Sequence, residues 1–208
     1  MDEDDRASSV FTLPLTELLL EGYDIQPVPS QPRGIQWKSL WSLTALTLQS
    51  CDIAHEELCN LIRSSKATLT SVSLFFCFGL QSHLLPSALS LLSQSLHKFA
   101  VADGTIYGVK ETIPLLKQLN TLCIDESVVN KDILEALPTT LRRLKLTHLR
   151  PAMADSPYMR QTPSCLCLID PTSLSQIETI EIDGQLFAED RYAIQATFCD
   201  VISFRSEL

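Results

Sequence analysis

Apolar residues recur along this chain in a spaced triplet, apolar-x-x-apolar-x-apolar. Seven copies stand at Leu15/Leu18/Leu20, Leu43/Leu46/Leu48, Leu69/Val72/Leu74, Leu96/Phe99/Val101, Leu119/Leu122/Ile124, Leu141/Leu144/Leu146 and Ile177/Ile180/Ile182. Their starts lie 28, 26, 27, 23, 22 and 36 residues apart. Leu, Ile, Val and Phe make up 65 of the 208 residues, so a loose triplet arises by accident in about 3% of windows. The triplets alone therefore establish little. A triplet of leucines only is expected about once by chance and occurs three times. The residues in phase behind each triplet carry more weight. Position nine holds Tyr23, Cys51, Cys77, Gly104 and Ser127, and position eleven holds Ile25, Ile53, Ile106, Val129 and, in the last unit, Phe187. A turn residue followed two places later by an apolar one, in phase with the triplet, does not follow from leucine content.

Within each triplet the inward positions alternate as in a strand, with the intervening residues facing out. The units predict strands near 17–21, 45–49, 71–75, 98–102, 121–125, 143–147 and 179–183. One such strand cannot bury its leucines alone, but parallel stacking at ~4.8 Å gives all seven a common core. The expected fold class is α/β: an open right-handed solenoid of about seven repeats, with a parallel sheet on its concave face and helices and loops on its convex face. Ala54–Ser64 carries a helical stripe of Leu58, Leu61 and Ile62 behind a capping Asp52. Gln81–Ser95 repeats the stripe, with Pro86 in its first turns. Asn130 is placed to cap Lys131–Leu137, and the two shortest units leave room for a turn or two of helix. Gln26–Gly34 holds three prolines and cannot be helix. Arg150–Ser173 holds four and lengthens the sixth unit, which reads as a surface insertion. Three segments result: a disordered acidic arm over 1–14, the repeats over 15–187 with the 150–173 insertion, and a capping helix and tail over 188–208. That helix, Ala188–Ile202, presents Ile194, Phe198 and Val201. At the other end, Phe11 and Leu13 or a further domain must cover the first strand.

The second unit, Leu43-Thr-Ala-Leu46-Thr-Leu48-Gln-Ser-Cys51-Asp-Ile53 with Glu56-Glu57-Leu58-Cys59-Asn60-Leu61-Ile62 behind it, resembles a cysteine-containing leucine-rich repeat. Leu69-Thr-Ser-Val72-Ser-Leu74-Phe-Phe-Cys77 is similar to the start of another. Over about 15–187 the chain resembles the ribonuclease-inhibitor-like horseshoes and the repeat domain of F-box leucine-rich-repeat proteins. The resemblance implies a non-enzymatic domain that binds a protein in its concave face. It also implies the substrate-recognition part of an F-box-type ubiquitin-ligase receptor, here without the F-box, for which the residues before Leu15 are too few. A rival from the same fold family is a GTPase-activating protein using an exposed arginine, with Arg142, Arg143 and Arg150 as candidates. A third reading is a structural scaffold, or a fragment of a longer chain.

Composition and charge narrow these readings. The net charge of −9 argues against nucleic-acid binding through an overall basic field. No apolar run approaches the ~18 residues that span a bilayer, and Met1-Asp2-Glu3-Asp4-Asp5 has the wrong sign for a signal peptide. Seven cysteines at 51, 59, 77, 123, 165, 167 and 199 are an odd number, and reduced structural thiols in the cytoplasm or nucleus explain them. Only Cys165 and Cys167 are closely spaced, and His55, His83, His97 and His148 lie singly, so no metal site is expected. No cofactor, catalytic residue or small-molecule substrate is expected either: Gly-x-Ser-x-Gly, phosphate-loop and His-Glu-x-x-His patterns do not occur.

The outward strand positions suggest the partner site. Ala, Ser and Thr floor the middle of the concave face, Phe75 and Phe76 rise at one side, and charges bound both ends. The residues expected to contact a protein partner are Phe75, Phe76, Lys98, Asp125, Arg143 and Lys145, in a chain acting as a monomer. Lys145 stands level with Glu181 and is expected to pair with it.

Overall fold

The computed structural model describes residues 15–25, 42–80, 84–102, 108–125, 131–147, 166, 170–183, 188–198 and 200–205. The expectations for 1–14, for the Pro-rich segments 26–41 and 150–165, for Asn130, and for Cys165, Cys167 and Cys199 lie outside them.

The seven expected strands are present: β1 (Glu17–Glu21), β3 (Ala45–Gln49), β5 (Ser71–Phe75), β6 (Lys98–Ala102), β7 (Thr121–Asp125), β8 (Arg143–Thr147) and β9 (Thr179–Asp183). Between the first of these lie two-residue strands, β2 (Asp24–Ile25) and β4 (Asp52–Ile53), and at the end of the chain β10 (Ile202–Arg205). The main sheet has eight strands in the order β1-β3-β5-β6-β7-β8-β9-β10, every pair parallel and the sheet not closed. Registers run Leu18↔Leu46, Leu46↔Val72, Val72↔Phe99, Phe99↔Leu122, Leu122↔Leu144, Leu144↔Ile180 and Ile180↔Ile202. Each inward row is therefore apolar from end to end. A slip of one residue would turn the leucines outward, which is why the register is so uniform.

The connections return through short helices: α1 (His55–Ser65), α2 (Leu85–Ser90), α3 (Val109–Thr112), α4 (Lys131–Glu135) and α5 (Ala188–Thr197). A 3-10 turn, Ile113–Leu115, extends α3, and another, Pro171–Leu174, precedes β9. Leu58, Leu61, Ile62, Leu85, Leu89, Val109, Ile113, Ile133 and Leu134 form one buried cluster with the inward strand positions. Among the described residues, helices thus cover one face of the sheet and no helix covers the other, the open face.

Backbone hydrogen bonding repeats at six successive junctions. The carbonyl two residues before each strand's first apolar inward position accepts two amides from the next unit. Thr16 accepts from Thr44 and Ala45, Thr44 from Thr70 and Ser71, and Thr70 from His97 and Lys98. His97 then accepts from Asn120 and Thr121, Asn120 from Arg142 and Arg143, and Arg142 from Glu178 and Thr179. Hydroxyls reinforce the first junctions: Thr44 Oγ1 donates to the Thr16 carbonyl at 2.9 Å and Ser42 Oγ to that of Leu15 at 3.0 Å.

Three local expectations are corrected. The residue before α1 is Ala54, whose side chain cannot cap, and Asp52 instead lies in β4. The second helix spans only Leu85–Ser90, with Pro86 at its start as expected. The C-terminal helix stops at Thr197, and the residues after it add an eighth strand to the sheet. The sheet's end is therefore a strand, and its apolar Ile202 and Phe204 are only partly buried. Arg191 covers the Phe204 ring at 4.7 Å.

Candidate partner-binding face

The open face of the sheet is built from every second strand residue, and three in-register rows describe it. The first row runs Glu17, Ala45, Ser71, Lys98, Thr121, Arg143, Thr179. The second runs Leu19, Thr47, Ser73, Ala100, Cys123, Lys145, Glu181, Ser203. The third begins Glu21, Gln49, Phe75, Ala102 and ends Asp125, Thr147, Asp183, Arg205. Small residues do floor its centre, and they are tightly set: Ser73 is 8% exposed and Ala100 3%.

Lys98 and Arg143 are exposed and flank Thr121, two strand spacings or ~10 Å apart. Neither makes a salt bridge among the described residues. Lys145 stands level with Glu181, but its ammonium bonds Asp183 at 2.7 Å, which corrects the expected pairing. The longer diagonal reach suits a lysine side chain, and the pair is mostly shaded from solvent. Lys145 is thus a tethered cation, whereas Lys98 and Arg143 are exposed and make no salt bridge among the described residues. Between them lies the half-buried Cys123, whose thiol is pushed above its ordinary pKa by burial, while Lys145 and Lys98 pull the other way. A thiol held in its neutral form is a packing group and not a nucleophile.

Asp125 does not belong to the accessible set. It is 4% exposed at the end of β7 and engaged in an interaction there, so it is part of the packing. The arginines also separate. Arg142 donates to the carbonyls of Thr139, Leu141 and Gln176 and stands 3.5 Å from Glu178, a fixed structural role. Arg143 next to it is exposed. Arg150 lies outside the described residues.

The two phenylalanines part company. Phe75 ends β5 and stands half-buried on the open face. Phe76 begins the turn with φ of 53°, a left-handed conformation, and is 37% exposed. The same place in the two preceding units holds Gly22 and Ser50, also left-handed at 71° and 52°. The chain turns one corner at each of these units, and the third unit places an aromatic on it. Just beyond, Phe78 is 61% exposed, and Gly79 (φ 77°) passes so close to the Asp52 carboxylate that a Cβ would collide with it. Phe78 was not singled out from sequence, although it stands in phase with Asp24 and Asp52.

Beneath the corner, Cys51 and Cys77 are buried. Cys51 Sγ donates to the carbonyls of Leu20 and Gln49 at 3.3 Å, and Cys77 Sγ to that of Leu48 at 3.4 Å. Each thiol therefore ties its turn to the preceding strand. The four described cysteines, 51, 59, 77 and 123, are free thiols. On the helical side Cys59 lies 3.4 Å from His55 Nε2, which also meets Ser87 Oγ at 3.4 Å. Burial raises the Cys59 pKa, so this pair too is unsuited to nucleophilic work. Among the described residues no helix is long and apolar enough to cross a membrane, and no three His, Cys, Asp or Glu side chains converge as metal ligands. No known protein family matches the chain, and no curated protein matches it significantly.

Proposed function

We propose that this chain is a leucine-rich-repeat solenoid of the ribonuclease-inhibitor-like kind, and that it binds a protein partner on the concave side of its sheet without catalysing a reaction. Seven phased units with in-register parallel strands and helical returns support the fold reading. The observation that carries the binding reading is the open face itself. A close-packed floor of Ser73, Ala100 and Ala102 lies between a half-buried aromatic, Phe75, and two exposed cations, Lys98 and Arg143, that lack salt bridges among the described residues. Such a face fits a segment with an apolar anchor and an acidic stretch. By its resemblance to F-box leucine-rich-repeat proteins, the module serves as the substrate-recognition half of a ubiquitin-ligase receptor in the cytoplasm or nucleus.

The experiment is proximity crosslinking of partners to the wild-type chain and to Phe75→Ala and Lys98→Glu/Arg143→Glu variants of unchanged Tm. Partners should be lost from both variants, the aromatic loss being tens of fold in affinity, or ~2 kcal/mol. Identical partner sets would remove the face as the site. Stimulation of GTP hydrolysis by a small GTPase, abolished by Arg143→Ala, would favour the GTPase-activating reading.

A further inference from the structure

A second surface lies where the first three units turn away from the sheet. Tyr23 is 59% exposed in the first unit, at the place that buried cysteines fill in the next two. Phe76 and Phe78 stand at the corner of the third unit. The backbone links these places into a short ladder: β2 pairs with β4, Asp52 bridges Phe78, the Asp52 amide donates to the Tyr23 carbonyl at 2.9 Å, and the Phe78 amide to that of Cys51 at 2.8 Å. Asp24, Asp52 and Phe78 are consequently adjacent in one row, ~4.8 Å apart.

Three features of this corner oppose stability. Exposed aromatics cost hydration. Phe76 holds a backbone conformation that disfavours a Cβ-bearing residue by roughly 1 kcal/mol. Asp24 and Asp52, both exposed, are like charges in direct register, which repel. Described residues 15–25 and 42–62 include Glu17, Glu21, Asp24, Asp52, Glu56 and Glu57 and neither lysine nor arginine; Arg33 and Lys38 fall between the two stretches, outside the described residues. A cation from outside would answer all the electrostatic terms at once, since ring faces and paired carboxylates both attract it.

We propose that the corner of Tyr23, Phe76 and Phe78 with Asp24 and Asp52 is a second docking surface, which receives a lysine- or arginine-bearing segment of a protein partner. It is separate from the open face, whose exposed Lys98 and Arg143 would repel such a segment, and it stands or falls independently of that reading. The test uses the full chain of 208 residues and a short fluorescein-labelled peptide alternating arginine and leucine, followed by anisotropy. Phe78→Ser and Asp24→Asn/Asp52→Asn should each weaken binding by about threefold to tenfold with Tm unchanged. Glu181→Gln, Phe75→Ala and Lys98→Glu should leave it within about twofold. The assignment is overturned if the peptide does not bind, or if a glutamate-for-arginine peptide binds as well. It is overturned too if Glu181→Gln weakens binding as much as the corner variants, since the peptide would then read only net charge. Loss of a dimer in sedimentation of Phe78→Ser would instead make a second copy of the chain the occupant.

Discussion

At the scale of single residues, the corners decide most. Phe76 pays for its left-handed backbone, and asparagine tolerates that conformation far better. Phe76→Asn should therefore raise stability by about 0.5–1 kcal/mol in urea unfolding while weakening partners that use the corner. Behind it, Cys77 is pushed from the ordinary thiol value of 9.0 to about 11, chiefly by burial. Its neutral form is the one the fold favours, so its contribution is complete below pH 9 and is lost as pH rises toward 11. The stability difference between wild type and Cys77→Ala should shrink across that window, and slow alkylation of Cys77 at neutral pH is the companion measurement. The special status of position nine was legible from phase alone. The bond each thiol makes was not, because its acceptor belongs to the strand before, some thirty residues away (Leu20 for Cys51, Leu48 for Cys77). For the same reason serine at Cys51 does not bury an orphan hydroxyl: the Leu20 and Gln49 carbonyls remain as acceptors. Asp125 shows the reverse limit. Periodicity gives the face a residue occupies, and the size of its neighbours sets how deeply it is shaded.

At the scale of elements, the strands were readable to the residue because alternation and one-sided burial constrain both ends of each. Helices were less so: short apolar runs satisfy several helical frames, and turns take over where α2 was expected to continue. The eighth strand was hidden by its composition. Its register with β9 places Ile202 and Phe204 in the last two triplet positions, and the residue three before Ile202 in the sequence is a cysteine, which does not read as an apolar start. The stripe Ile194, Phe198, Val201 also leads a helical pattern straight into it. As an end strand β10 is only half-enclosed, so Phe204→Ala should cost about 1–3 kcal/mol, against about 3–5 for the fully buried Phe99→Ala. Equal losses by thermal unfolding would mean that the end of the sheet is covered as thoroughly as its middle.

At the scale of the whole molecule, each strand of the main sheet pairs only with its predecessor and successor, so a local injury has few routes outward. Leu146→Ala in β8 should speed amide exchange most in β7, β8 and β9 and least in β1 and β3. Charge on the open face also varies lengthwise, with Glu17 and Glu21 on the first strand and Lys98, Arg143 and Lys145 on the middle ones. If an acidic segment docks on the open face, Lys98→Glu/Arg143→Glu should slow association at low salt, and added salt should then accelerate it, read by stopped-flow. The carbonyls that accept two amides at each junction carry one more consequence. Since Thr16 meets Thr44 and Ala45 just as Thr44 meets Thr70 and Ser71, residues 43–68 can be excised as a cassette. The splice offers Thr16 the same pair of donors from Thr70 and Ser71, and Leu18 the side chain of Val72 in place of Leu46. Length in this architecture is a modular variable, edited in whole units.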